Sequence, residues 1–109
     1  MSSDRIRGHL NALLLAVLAD GPAHGYAATK TLRERTRGGV SIPEGSLYPA
    51  LHRLEKQGLI ESSWDEESSR RRRLYALTRQ GKEVLDAERE EWRTFRDMID
   101  AVLGSSHEG

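Results

Sequence analysis

The side chains best suited to binding chemistry in this sequence lie on one short segment, residues 43–58. Leu47, Leu51 and Leu54 fall four and three residues apart, which predicts a helix with one apolar stripe. The other face of this helix carries hydroxyl, imidazole and cationic groups: Ser46, Tyr48, His52, Arg53 and Lys56. A helix divided in this way is suited to lie against a polar, negatively charged surface.

Four consecutive arginines at 70–73 open the second of two strand-length segments, 59–64 and 71–77, which a polar turn connects. Successive side chains of a strand point to opposite faces, so at most half of these arginines can face one partner. A short helix followed by a basic hairpin is the outline of a winged helix-turn-helix. In that motif the helix enters the DNA major groove and the wing lies along the phosphates.

The predicted DNA contacts follow from these positions. The groove-facing residues are Ser46, Tyr48, His52 and Arg53, and the phosphate-holding residues are Lys56, Arg70, Arg71, Arg72 and Arg73. Two alternatives stay open at this point. The arginines could serve only to protect a solvated sheet edge, and Tyr48 could pack in the core beside the leucines.

Composition and charge narrow the classes of function. The 109 residues fit one small domain, and the absence of cysteine excludes disulfides and thiolate metal sites. Residues 1–82 hold 14 basic and 9 acidic side chains, whereas residues 83–109 hold 3 and 8, an asymmetry typical of a binding face. The histidines lack metal-ligand spacing and no catalytic motif is present, so we expect no enzyme, cofactor or metal. No apolar run reaches the ~18 residues of a membrane span, and we expect a cytoplasmic protein.

Two earlier segments of the sequence predict two helices that precede the helix at 43–58. Residues 10–19 are apolar around nearly the whole circumference of a helix. Four of them can fill the core of their own chain: Leu13, Leu14, Val17 and Leu18. That leaves Ala12, Leu15 and Ala16 without a partner in their own chain. The second helix, 24–36, has Tyr26 and Leu32 as its expected core contacts.

A long final helix is predicted after the wing, with Thr78 as N-cap and helix-forming residues over 82–103. Its first turn contains Gly81, which is unfavourable by propensity and has no local explanation. Apolar side chains repeat at intervals of seven along this helix: Leu85, Trp92 and Ile99, and Phe95 and Val102. These apolar residues form one seam along the helix, and in a single chain the seam would expose its aromatic rings to water. The pattern therefore predicts a homodimer in which the seam packs on its copy and on the partner's 10–19 helix.

The motif G-S-L-Y-P-A-L-H-R-L-E-K-Q-G-L-I-E-S-S-W, followed by R-R-R-R-L-Y-A-L-T-R-Q-G, resembles the signature of the PadR-type transcriptional regulators. The resemblance implies a dimer that represses transcription and releases DNA on binding flat, often cationic or aromatic, molecules. In small multidrug-sensing members a Trp from each subunit lines a pocket at the dimer centre, and Trp92 stands at the matching position. By the same match the pocket would also be lined by Leu85, Ala12, Leu15 and Ala16. Arg89 and Arg96 stand where that subgroup tends to have an aromatic and an acid, which favours a neutral or anionic planar effector.

The sequence thus predicts a mainly α protein with a two-stranded β wing (α+β). A winged helix-turn-helix is expected over 1–78, a dimerisation helix over 79–104 and a disordered tail over 105–109. The predicted function is a homodimeric transcriptional repressor that binds a pseudo-palindromic operator in double-stranded DNA and is released by a small aromatic effector. The alternative is a winged-helix module for protein–protein interaction, without specific DNA binding.

Overall fold

The computed structural model describes residues 9–66 and 72–104 of the chain. Within these ranges the elements are α1 (Leu10–Leu18), β1 (Ala23–His24), α2 (Gly25–Arg35), α3 (Glu44–Lys56), β2 (Ile60–Asp65), β3 (Arg72–Leu77) and α4 (Arg79–Leu103). The mainly helical α+β class with a long C-terminal helix is confirmed. Arg70, Arg71 and the predicted tail at 105–109 lie outside the described residues.

The sheet has three antiparallel strands in the order β1-β3-β2. The predicted two-stranded wing is confirmed, and β1 is a third strand that the sequence did not predict. Strands β2 and β3 form the wing, with Ile60 opposite Leu77 at its base and Asp65 opposite Arg72 at its outer end. The added strand, β1, pairs His24 with Leu74 of β3. It is two residues long, too short for an alternating pattern to appear in the sequence. His24 therefore belongs to this strand and not to the helix that follows it.

Helix α1 lies at the centre of the domain, because it packs against α2, α3, β3 and α4. This position covers nearly its whole circumference and explains its apolar composition. The prediction that Leu15 lacks a partner in its own chain is wrong, since Leu15 is only 1% exposed. Ala12 and Ala16 are partly buried beside it.

Helix α2 buries one stripe, formed by Gly25, Ala28, Thr29 and Leu32. The spacing of these residues is that of one helix face. Leu32 is buried as predicted, but Tyr26 is 63% exposed, and its prediction as a core residue is wrong. The side chain of Tyr26 leaves α2 about 100° away from the buried stripe, because one residue turns a helix by that angle.

Helix α4 begins with the predicted cap: the Thr78 hydroxyl oxygen accepts a hydrogen bond from the Gly81 N–H at 3.0 Å. Near its start Leu85 is 2% exposed and completes the core of its own chain, so its prediction as an exposed seam residue is wrong. Every residue over 86–103 is exposed. None of the described helices is long and apolar enough to cross a membrane.

Candidate nucleic-acid interface

Helix α3 divides into a buried and an exposed face. The buried residues are Leu47, Ala50, Leu51 and Leu54. The exposed residues include all five side chains that the sequence assigned to DNA: Ser46, Tyr48, His52, Arg53 and Lys56. Their exposure leaves the outer face of α3 free to enter a groove about 12 Å wide. Contact of these five residues with DNA stays a prediction.

A hydrogen-bonded turn holds α3 against α2. The Thr36 hydroxyl donates to the Leu32 carbonyl oxygen at 2.7 Å and accepts from the Val40 N–H at 2.9 Å. Between these contacts the chain reverses through Arg37 and Gly38, whose φ angles are 52° and 84°. Val40 is then buried against the core. The Thr36 side chain and the buried Val40 therefore stabilise the connection between α2 and α3.

The wing is tied to α3 through Arg73. Its Nε and Nη2 atoms donate to the Ser62 hydroxyl oxygen at 3.1 and 2.7 Å, and that hydroxyl donates to Glu55 Oε2 at 2.7 Å. The guanidinium carbon also lies 4.7 Å from the centre of the Trp64 ring, a cation–π distance. Arg73 thus joins β3, β2 and α3. The phosphate contacts predicted for Arg72 and Arg73 stay predictions, and Arg70 and Arg71 are not among the described residues.

Tyr75 lies beneath this network and is 8% exposed. Burial raises the pKa of its phenol above the ordinary 10.0, and the nearby Glu55 carboxylate and Tyr48 phenol raise it further. The positive charge of Arg73 acts in the opposite direction. The surroundings of Tyr75, opposite Ser62 in the wing, therefore disfavour the phenolate form.

A second exposed surface runs along α4 and is apolar. The residues of this α4 strip are Trp92, Phe95, Met98, Ile99, Val102 and Leu103, each between 42% and 75% exposed. The Trp92 ring lies 5.7 Å from the Phe95 ring, and the His9 ring stands edge-on to Trp92 at 5.8 Å. These are ordinary distances for aromatic pairs.

The residues predicted to line an effector pocket are brought together only in part. Leu15 and Leu85 are enclosed in the core of their own chain, at 1% and 2% exposure. Trp92 and Arg96 are exposed on α4, and Arg96 lies 3.4 Å from Asp97 Oδ1. The role of these residues in effector binding stays a prediction.

Sequence reasoning missed three residues at these surfaces. Met98 has the helical spacing of the strip, and a search at intervals of three and four would have found it. Tyr26 could have been recognised from the buried stripe of α2, which it does not share. No local sequence pattern identifies His9, because its contact with Trp92 joins parts of the chain that are far apart in sequence.

A helix-turn-helix with a basic wing and an exposed polar helix defines a DNA-binding protein of the winged-helix class. A family model described as the transcriptional regulator PadR-like family matches residues 14–87. The chain belongs to this family of transcriptional regulators.

Known structures and sequences agree with this assignment. A transcriptional regulator from Clostridium thermocellum superposes with a TM-score of 0.84 at 36% identity, covering 93% of this chain and 99% of that one. A PadR family regulator from Clostridium difficile gives a TM-score of 0.78 at 33% identity, covering 87% and 98%. The transcriptional regulator Rv3488 of Mycobacterium tuberculosis is 37% identical over 86 residues, which cover 79% of this chain and 75% of that protein.

Proposed function

We propose that this DNA-binding regulator acts as a homodimeric repressor. In this proposal two copies pair through the α4 strip, and their two α3 helices enter successive major grooves of a pseudo-palindromic operator. Repression follows from occupation of the operator, and a small planar effector at the dimer centre releases it.

The observation that carries the proposal is the exposure of α4. Every residue over 86–103 is exposed, and this part of the helix presents the contiguous α4 strip with two aromatic rings. An apolar surface of this kind usually marks an interface. We expect a second copy of the chain to cover this strip. Its apolar side chains repeat at intervals of seven residues, a spacing that lets two identical helices pack along each other.

Assembly is tested with a charge-matched pair of double variants. Phe95→Glu with Ile99→Glu places two carboxylates within the strip, and sedimentation should then show a monomer. Thr94→Glu with Ala101→Glu adds the same charge to α4 outside the strip and should leave the dimer intact. A Phe95→Glu, Ile99→Glu protein that sediments as a dimer would contradict this interface.

DNA binding is tested with the same proteins. A dimer that neutralises about 4–9 phosphates should give a log–log salt slope of roughly −4 to −8. We expect the monomeric variant to lose operator affinity steeply, because it contacts one half-site only. Repression itself requires a promoter–reporter fusion, in which deletion of the regulator should raise expression. Lower expression after deletion would show an activator.

A further inference from the structure

The wing is connected to α3 at its base and again further along β2. At the base, between the end of α3 and the start of β2, the Leu59 N–H donates to the Leu54 carbonyl oxygen at 3.0 Å. Further along, the Ser62 hydroxyl donates to Glu55 Oε2 at 2.7 Å. A second contact away from the base fixes the direction of a strand relative to a helix better than the base contact alone. The hydrogen bond between Ser62 and Glu55 is therefore placed to set how the wing stands relative to α3.

Arg73 strengthens this second contact. Its Nε and Nη2 atoms donate to the Ser62 hydroxyl oxygen, and Nη2 also lies 3.8 Å from Glu55 Oε2. The Ser62 hydroxyl thus accepts from a cation while it donates to a carboxylate. Hydrogen bonds with a charged partner are stronger than those between neutral groups, and bonds in such a chain reinforce one another.

The groups of this contact share one face of the wing. In the register of the sheet Trp64 is opposite Arg73, and strand alternation places Ser62 on the same face as both. The guanidinium of Arg73 lies over the Trp64 ring on that face. The main chain of Arg73 is held separately, because its carbonyl oxygen lies 3.0 Å from Nδ1 of His24 in β1. The wing is therefore held to α2 through β1, and to α3 through side chains that meet Glu55.

We propose that Glu55, Ser62 and Arg73 are positioning residues for DNA binding. They hold the wing at the angle to α3 at which both elements reach the same duplex, and this role requires no contact between the three side chains and DNA. Freedom of the wing in the unbound protein would have to be lost on binding, which lowers the affinity. The proposal rests on the proposed DNA binding through α3 and the wing.

Glu55 should act against the effect of its own charge. A carboxylate near a DNA-binding surface repels phosphates, so by charge alone its removal strengthens binding. If Glu55 holds the wing, its removal weakens binding instead. Glu55→Ala should therefore lower the affinity for the operator about 3–10-fold, the effect of one lost hydrogen bond. Glu61→Ala is the matched control, because Glu61 is exposed on the opposite face of β2, and it should bind at least as tightly as wild type.

Ser62→Ala tests the same contact without a change of charge. The affinity should again fall about 3–10-fold, while the log–log salt slope keeps its wild-type value because no phosphate contact is lost. Ser63→Ala makes the identical change on the opposite face of β2 and should bind as wild type does. Ser62→Thr retains a hydroxyl and should restore most of the affinity. Glu55→Ala combined with Ser62→Ala should lose less than the product of the two single losses, because both remove the same hydrogen bond.

The direction of the wing is measured in the protein without DNA. The chain has two tryptophans, Trp64 in the wing and Trp92 on α4, so fluorotryptophan labelling gives two fluorine NMR resonances. In Ser62→Ala the Trp64 resonance should shift or broaden, and the Trp92 resonance should not change. In Ser63→Ala both resonances should keep their wild-type positions. Urea unfolding verifies that each variant is folded.

Three results would overturn the positioning role. They are a Glu55→Ala or Ser62→Ala protein that binds the operator as tightly as wild type, a Ser63→Ala protein that loses as much affinity as Ser62→Ala, and a Trp64 resonance that is unchanged in Ser62→Ala. Failure of the wild-type protein to bind any operator would instead contradict the proposed function. In that case the Trp64 resonance would still show whether the Ser62–Glu55 contact holds the wing.

Discussion

His24 and Asp65 join the start of the helix-turn-helix to the outer end of the wing. Nε2 of His24 lies 3.0 Å from Oδ2 of Asp65, and Nδ1 lies 3.0 Å from the carbonyl oxygen of Arg73. Both neighbouring atoms are hydrogen-bond acceptors, and each ring nitrogen of His24 lies within hydrogen-bonding distance of one of them. The two side chains are mostly buried, at 19% and 21% exposure. One imidazole thus links all three strands of the sheet.

We expect His24→Ala to weaken this link. The variant loses the polar contacts that the imidazole ring makes with Asp65 and with the Arg73 carbonyl in a partly buried site, which should lower the free energy of unfolding by about 1–3 kcal/mol. Hydrogen exchange should accelerate most at the amides that pair β1 with β3. Asp65→Asn keeps an oxygen that can accept from Nε2, and should lose less than half as much. Urea unfolding of both variants checks this, and a His24→Ala protein as stable as wild type would show that the contact is immaterial.

Gly81 should tolerate no side chain. A Cβ there would overlap the carbonyl oxygen of Leu59 and lie 2.8 Å from Leu77 Cδ1. Gly81→Ala should therefore destabilise the protein by about 1–3 kcal/mol, despite the better helix propensity of alanine. The matched control is Gly45→Ala in α3, where nothing lies within 4 Å and a gain of about 0.5–1 kcal/mol is expected. Similar urea midpoints for the two variants would contradict this explanation.

Local patterns predicted the parts of the fold that local contacts determine. Thr78 caps α4 as expected, and Gly58 ends α3 with a φ of 78°. Gly81 had no explanation in the sequence, because the carbonyl that excludes a side chain belongs to Leu59, which reaches it only in the folded chain. Likewise, the apolar circumference of α1 was attributed to a second subunit, whereas the fold itself surrounds α1 with four elements.

The candidate interface also contains residues that local patterns predicted and residues that depend on contacts between distant parts of the chain. The exposed face of α3 was predictable, because one amphipathic helix carries both the leucines and the polar residues. Tyr26 was missed because the sequence does not show which side of α2 faces the core. An aromatic residue near the start of a helix is then expected to be buried. His24 was placed in the helix, and its bonds to Asp65 and to the carbonyl of Arg73 join residues that are 41 and 49 positions apart.

The stability of the fold should fall at high pH through Tyr75. Burial, then Glu55 and Tyr48, raise its pKa above the ordinary 10.0 in the folded state. A group whose pKa is raised on folding stabilises the protein below the unfolded pKa and loses that contribution as the pH rises through the folded value. The decline should therefore begin above pH 10.0 and be absent in Tyr75→Phe.

Phenolate absorbance measures this directly. In Tyr26→Phe with Tyr48→Phe, Tyr75 is the one remaining tyrosine of the chain. Its absorbance change should occur above pH 10.0 in the folded protein and return to the ordinary value in urea. A folded-state change at or below the urea value would show that Tyr75 is not shielded.

Arg53 should contact bases and contribute to sequence specificity, whereas the arginines of the wing should contribute to affinity for any DNA sequence. It lies on the exposed face of α3, and arginine binds guanine edges in the major groove through two hydrogen bonds. Arg53→Ala should cost about 1–3 kcal/mol on the operator and relax the preference at one base pair in each half-site. Arg72→Ala should instead weaken binding to all sequences. Selection from a randomised operator library distinguishes the two variants, and an unchanged preference in Arg53→Ala would contradict its assignment.

The effector response should depend on Trp92. Its ring is half exposed, borders Phe95 and meets the edge of His9, so it offers a flat apolar surface beside a polar ring. In the proposed dimer the two Trp92 rings would face each other across the axis, and planar molecules stack on such rings for about 0.5–1.5 kcal/mol beyond area burial. A guest can change DNA affinity only as far as it prefers one spacing of the two α4 helices.

The planar compound that releases the operator should therefore quench the fluorescence of Trp92, and Trp92→Ala should abolish the release. Trp64 also emits, so the titration uses Trp64→Phe as background, after its operator binding has been verified. Planar aromatic compounds of each charge are added in turn, and Arg96, one helical turn from Trp92, should favour the neutral and anionic ones. Arg96→Glu should reverse that preference toward cations, because it places a carboxylate beside the ring. If Trp92→Ala dimers released the operator at the same effector concentration as the background protein, Trp92 would serve packing alone and the effector would bind elsewhere.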